Sequence, residues 1–151
     1  MIIKKAKPEE AKTLTEIAFK SKAYWGYDIQ FMESCKDELT ITTDLIQEQI
    51  CYLANKNNDI SGFYILNHIS DTIIELEQFF IDPEFIRQGI GKTLFNHAVA
   101  LAKNKGYKEM EIQADPHAQK FYEKMGAKLL GFTMSQSIKG RKLPQMSYCI
   151  E

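Results

Sequence analysis

The chain has 151 residues, enough for one domain with a real core. Its 44% hydrophobic and 26% charged residues are ordinary for a globular protein in water. Lys and Arg total 19 against 20 Asp and Glu, a net charge of −1, which argues against a broad nucleic-acid or anionic-membrane footprint. No apolar run approaches the roughly 20 residues that a membrane-spanning helix needs.

Ile2 to Lys5 reads as a first strand, with no signal-peptide pattern after it. Pro8-Glu9-Glu10 opens a helix, because proline fits a first turn and acidic residues favour the helix dipole there. Ala11, Leu14, Ile17 and Ala18 recur at helical spacing, and the helix runs to about Tyr24, where Gly26 breaks it. Asp28 to about Leu39 is expected as a second helix. Thr42 to Gln49 is expected as a third, capped by Thr42 or Thr43. Ile50 to Ala54 and Ile60 to His68 form a hairpin around Asn57-Asn58-Asp59. Ile73 to Ile81 follows as the central strand. Its alternation blurs at Phe79-Phe80, which fits a bulge. Asp82-Pro83 turns the chain into a helix running from Ile90 to about Lys105, with Leu94, Ala98, Leu101 and Ala102 on its buried face, and Gly106 ends it. Tyr107 to Ala114 is a strand, and Pro116 to Met125 the last helix. Leu129 to Ile138 and Leu143 to Ile150 close the chain as a hairpin around Lys139-Gly140-Arg141. The whole reads as a mixed α/β sheet with helices on both faces, in a single domain of residues 1–151 with no linker and no repeat.

The stretch Arg87-Gln88-Gly89-Ile90-Gly91-Lys92 joins the central strand to a helix N-terminus. Glycines let the backbone approach a ligand closely, and the free N–H groups and dipole of a helix start favour phosphate. Arg87 and Lys92 add positive charge. The common nucleotide motifs do not fit. A Walker A loop needs glycine where Ile86 stands, and a dinucleotide fingerprint needs glycine at Leu94. A phosphate-bearing cofactor of another kind, or a purely structural turn, remains.

A second constellation follows the next strand: Asp115-Pro116-His117-Ala118-Gln119-Lys120-Phe121-Tyr122-Glu123-Lys124-Met125-Gly126. Asp115 is a good N-cap, Pro116 fits the first helical position and Gly126 fits the position just past the helix. With Phe79-Phe80-Ile81-Asp82-Pro83 and Gly89-Ile90-Gly91 before it, this order resembles the GNAT superfamily of acyl-CoA-dependent N-acyltransferases over roughly Glu75 to Gly131. The chain departs from the family at Ile86, where Gln or Arg is usual, at Asp115, often Asn, and at Ala127, often aromatic.

The resemblance implies acetyl-CoA as cosubstrate and a mostly antiparallel sheet. It implies that backbone N–H groups of Gln88, Gly89, Ile90, Gly91 and Lys92, beside Arg87, hold the pyrophosphate. Main-chain groups of Phe79, Phe80 and Ile81 would pair with pantetheine, and the N–H near Phe80 would polarise the thioester carbonyl. Asp115 would stand beside the cofactor. Tyr122 stands where the family places its general acid; its plain alternative is helix packing with a polar tip. Glu75 and Glu77 share one strand face by alternation. Glu75 stands where some members carry a base, and the alternative for both is a solvated face. His68 is a weaker base candidate.

The family shapes its acceptor pocket from the region after the first helix and from the last hairpin. Here these carry Tyr24, Trp25 and Tyr27, either pocket wall or core cover, and Arg141, either a holder of substrate carboxylate or a solvated turn cation. The expected function is transfer of an acetyl group to a primary amine of a small molecule or peptide. The alternative is a non-catalytic acyl-CoA-binding regulatory module. Cys35, Cys51 and Cys149 are few, odd in number and widely spaced, and share no ligand spacing with His68, His97 or His117. No metal, nucleic acid or membrane is therefore expected, the thiols read as reduced and the compartment as cytoplasmic. Exposed closing strands allow a homodimer.

Overall fold

A computed structural model describes residues 1–151. Seven strands form one sheet in the order β1-β2-β3-β4-β5-β7-β6. They are β1 (Ile2–Lys5), β2 (Ile50–Lys56), β3 (Asp59–His68), β4 (Ile73–Ile81), β5 (Glu109–Gln113), β6 (Lys128–Met134) and β7 (Lys142–Cys149). Every neighbouring pair is antiparallel except β4 and β5. The helices are α1 (Ala11–Ala23), α2 (Ile29–Ser34), α3 (Lys36–Leu39), α4 (Thr43–Glu48), α5 (Ile90–Asn104) and α6 (Gln119–Lys124). This is the expected mixed sheet with helices on both faces.

The buried stretch of β3, Ser61 to Leu66, divides the core by simple alternation. Tyr64 and Leu66 face one layer, where they meet Ile74, Leu76 and the α5 residues Leu94, Phe95 and Ala98. Phe63 and Ile65 face the other, where they meet Leu14 and Ile17 of α1, Leu39 of α3 and Ile46 of α4. Side chains of this size stabilise by roughly 1.5–3 kcal/mol each when fully buried, so the sheet is held from both sides.

Local signals set the ends of the elements. The Asp28 carboxylate accepts from Phe31 N–H at 2.8 Å and starts α2, and the Thr42 hydroxyl accepts from Leu45 N–H at 3.1 Å and starts α4. Gly26, Gly106 and Gly126 end helices at φ of +91°, +94° and +106°, conformations that side chains resist.

Three expectations are corrected. The helix expected over Asp28–Leu39 is two short ones, because Cys35 (φ −93°, ψ 0°) leaves helical geometry between them. The first closing strand ends at Met134 rather than Ile138, where Ser135 N–H turns back to bond the Arg141 carbonyl. The bulge in β4 lies at Glu77, not at Phe79-Phe80. Ile65 pairs with Gln78 and Leu66 with Leu76, so Glu77 is the extra residue. The slip reverses the alternation beyond it. Phe79 packs in the layer of Ile74 and Leu76, and Phe80 in the layer of Phe63.

Candidate active site

β4 and β5 pair only over Ile73–Glu75 and Glu109–Glu111, then part. From Leu76 onward β4 has a neighbour on its β3 side alone. A cavity of about 390 Å³ fills the opening. It reaches through the sheet, with Ser21, Lys22, Tyr24 and Trp25 from the end of α1 on one side and Ile90, Gly91, Phe121 and Tyr122 from α5 and α6 on the other.

Of the residues expected at a cofactor, Phe79, Phe80, Ile81, Arg87, Gly89, Ile90, Gly91, Lys92, Asp115 and Tyr122 all line this cavity. Gln88 does not; its amide oxygen accepts from the Lys56 ammonium. At the mouth, Arg87 and Gly89 both take left-handed backbone, φ +64° and +77°, which folds the turn around the start of α5. A Cβ on Gly91 would stand 3.3 Å from the Phe121 ring, so glycine there keeps the helix start open beside the aromatic floor. Phe79 packs against Phe121 and Tyr122, ring centroids 5.7 and 6.0 Å away.

These features fit an extended phosphorylated ligand. The free edge of β4 offers backbone groups to a strand-like arm. The glycine turn, Arg87 and Lys92 offer a seat for its phosphates.

Tyr122 is 6% exposed, and its hydroxyl makes no hydrogen bond within the chain. Burial, and then the Asp115 charge, push its phenol above the ordinary tyrosine value, so it keeps its proton at neutral pH.

Asp115 does more than cap a turn. Its carboxylate accepts from His117 N–H at 2.8 Å, from Tyr27 hydroxyl at 3.0 Å, and from Lys22 and Arg141 at 3.3 Å each. Burial raises its pKa, but His117 N–H, Lys22, Tyr27 and Arg141 together bring it below the ordinary carboxylate value. Arg141 also donates to the Tyr27 hydroxyl. Tyr27 and Arg141 therefore stand one layer behind the cavity wall, bound to Asp115, rather than lining it. Tyr24 and Trp25 do line it, and Trp25 stacks on the exposed His117 ring at 5.0 Å.

Glu75 and Glu77 are not on the lining. Ile74 and Leu76 turn into the α5 layer, which sends Glu75 to the α1 face of β4, where Asn67 donates to it at 3.3 Å. Glu77 is an exposed residue. Desolvation of its carboxyl, followed by the Glu75 charge, outweighs the Gln49 amide and raises its pKa; exposure to solvent mutes that effect. His68, the weaker base candidate, is hydrogen-bonded to the Tyr107 hydroxyl at 2.6 Å at the strand end.

Sequence reasoning did not single out Lys22, Phe121 as cavity floor, or His117. Lys22 sits in an aromatic window that reads as core cover, and its partner Asp115 is 93 positions away.

The Acetyltransferase (GNAT) family matches residues 15–127. The chain belongs to this family. It is 28% identical over 130 residues to an uncharacterized N-acetyltransferase of Methanocaldococcus jannaschii, covering 79% of this chain and 55% of that protein; the chain thus spans little more than half the length of that relative. Two solved structures share the fold. The PaiA N-acetyltransferase of Thermoplasma acidophilum, in complex with coenzyme A, superposes with a TM-score of 0.77 at 23% identity over 98% of both chains. A GCN5-related N-acetyltransferase of Rhodopseudomonas palustris reaches 0.81 at 19% identity, covering 98% of this chain and 94% of the other.

Proposed function

We propose that the chain is one N-acetyltransferase unit, moving an acetyl group from acetyl-CoA to a primary amine by direct attack within a ternary complex. The observation that carries this reading is the cavity through the β4–β5 opening. It has the Gly89-Ile90-Gly91 turn at its mouth and, on its lining, the largely buried Tyr122, whose hydroxyl bonds nothing in the chain. The coenzyme A bound to the Thermoplasma protein of the same fold supports the cofactor class.

Acetyl-CoA supplies the activated acyl group. Phe79 and Phe80, bulky residues on the cavity lining, favour a short acyl chain. The free β4 edge beside Phe80, where the N–H groups of Phe79 and Ile81 point away from β3, presents N–H to the thioester oxygen, where charge develops. Free amines near pKa 10 are mostly protonated at pH 7, so the acceptor must lose a proton before it attacks. Glu77 receives that proton directly or through water, and its raised pKa suits the task. Glu75 is the second candidate. Tyr122 returns a proton to the leaving sulfur.

The exclusion of both glutamates from the lining favours, as a second reading, a non-catalytic acyl-CoA-binding regulatory module. The two readings part on one assay. Acetyl-CoA is incubated with an amine panel and free thiol is followed. Thiol release that depends on an amine supports the enzyme; tight acetyl-CoA binding with no release supports the module.

The proposal extends to assembly and compartment. Leu130, Phe132 and Met134 are 65%, 58% and 54% exposed on β6, an edge strand, which favours pairing of two copies. Free thiols at Cys35, Cys51 and Cys149 suit the reducing cytoplasm.

A further inference from the structure

The cluster behind the cavity wall does not balance in charge. Lys22 and Arg141 both contact the same oxygen of Asp115, Oδ2, at 3.3 Å. The chain's other ion pair, Lys20 with Asp82, lies elsewhere and offers neither cation a second acid. Glu38 stands near enough to act with both cations on the Cys35 thiol but makes no ion pair with either, so two cations only 11% and 15% exposed share one paired acid. A mostly buried charge without an ion pair of its own is costly unless something pairs with it.

The cations are also held in place. The Arg141 guanidinium lies 4.9 and 5.1 Å from the stacked rings of Phe31 and Tyr27, and the Lys22 ammonium 5.9 and 5.7 Å from the same two. The side-chain bonds of Arg141 within the chain run through Nη2 alone, to Tyr27 and Asp115. Its Nε–Nη1 edge is free, the edge geometry that receives a planar carboxylate through two parallel bonds. Lys22 lines the cavity together with Phe79 and Phe80. Arg141 stands directly behind Lys22 on the same Asp115 oxygen, so an anion that meets Lys22 at the wall and reaches Arg141 behind it has its other end in the same small space as the acyl group.

We infer that the acceptor amine also bears a carboxylate, and that Lys22 and Arg141 bind it. This inference rests on the acyltransferase reading and narrows it, from any primary amine to amino acids and compounds like them. The cations fix one end of the acceptor. The amine end is then directed to the thioester at Phe80 and to the glutamates on the adjoining face of β4. Asp115 keeps the cations together while no acceptor is present, and the incoming carboxylate supplies a second acid for them to pair with.

The test uses matched pairs of acceptors with the wild-type chain and acetyl-CoA: α- and ω-amino acids, each as the free acid and as its primary amide. The acid is expected to exceed its amide in kcat/KM by roughly ten- to a hundredfold, the value of a charge-assisted hydrogen bond, with the difference mainly in KM. Arg141→Gln and Arg141→Lys are then compared on the same pairs. Gln is expected to abolish the preference and Lys to restore part of it. Amides used as well as acids, a panel in which no acid is turned over, or a preference unchanged in Arg141→Gln overturns the inference. The parent reading fails differently: a chain that neither binds acetyl-CoA nor releases thiol from it with any amine, carboxylated or not, is not an acetyltransferase.

Discussion

Tyr122 and Asp115 show how single side chains divide the work. Tyr122→Phe removes only a hydroxyl that bonds nothing in the chain. It is expected to leave folding and acetyl-CoA binding intact while kcat falls by about 10²–10⁴, the range for a general acid; steady-state kinetics beside a binding isotherm checks both halves. Asp115→Asn keeps the cap but strands Lys22 and Arg141, and is expected to cost roughly 1–3 kcal/mol at pH 7. Asp115 has a folded pKa below its ordinary 3.8. Its contribution is therefore present above that value and is lost as pH falls through the folded one. The wild type and Asp115→Asn should converge in denaturant melts as pH drops below about 4; a gap that persists in acid would show that the charge is not the cause. Thiol chemistry gives an independent check. Cys149 is exposed, whereas burial pushes the Cys35 thiol up to about 11, with Glu38 adding to it, and the Cys51 thiol up to about 12. A thiol reagent should add once to the native chain, at Cys149, and three times after denaturation, as read by mass spectrometry.

At the scale of elements, local chemistry was legible in the sequence and pairing was not. The caps at Asp115 and Thr42, the glycine stops and the turn at Gly89-Ile90-Gly91 depend on neighbours within a few positions, so they could be read directly. The β4 bulge depends on how β4 meets β3. The Phe79-Phe80 doublet blurs one strand's own periodicity, but the slip belongs to the pairing of Ile65 and Leu66 with Gln78 and Leu76. The strap of Lys22, Tyr27, Asp115 and Arg141 was invisible for the same reason, since it joins segments 93, 88 and 26 positions apart. Gly62 tests how closely β3 and β4 must meet. A Cβ there would lie 2.7 Å from the Ile81 side chain and 2.8 Å from the Phe80 carbonyl oxygen. Gly62→Ala is expected to cost about 1–3 kcal/mol through overpacking. It should weaken acetyl-CoA binding besides, because the strand it displaces carries the edge proposed to hold the ligand. A stability loss with unchanged binding would separate the β4 edge from the cofactor.

For the whole molecule, the parallel β4–β5 pair is the organising feature. A short ladder of three residues holds the two strands together, and their divergence opens a passage between the α1 layer and the α5–α6 layer. In the proposed reaction that passage is where donor and acceptor meet from opposite faces of one sheet. Thermal unfolding with and without saturating acetyl-CoA, with ATP and NAD as controls, tests this account most directly. A ligand that binds only the folded chain at about 100 times its Kd adds roughly 2.7 kcal/mol, or about 5–10 °C in Tm for a chain of this size. A shift of that order with acetyl-CoA alone is predicted. No shift, or an equal one with ATP, would contradict it and return Gly89-Ile90-Gly91 to a general phosphate seat or a structural turn.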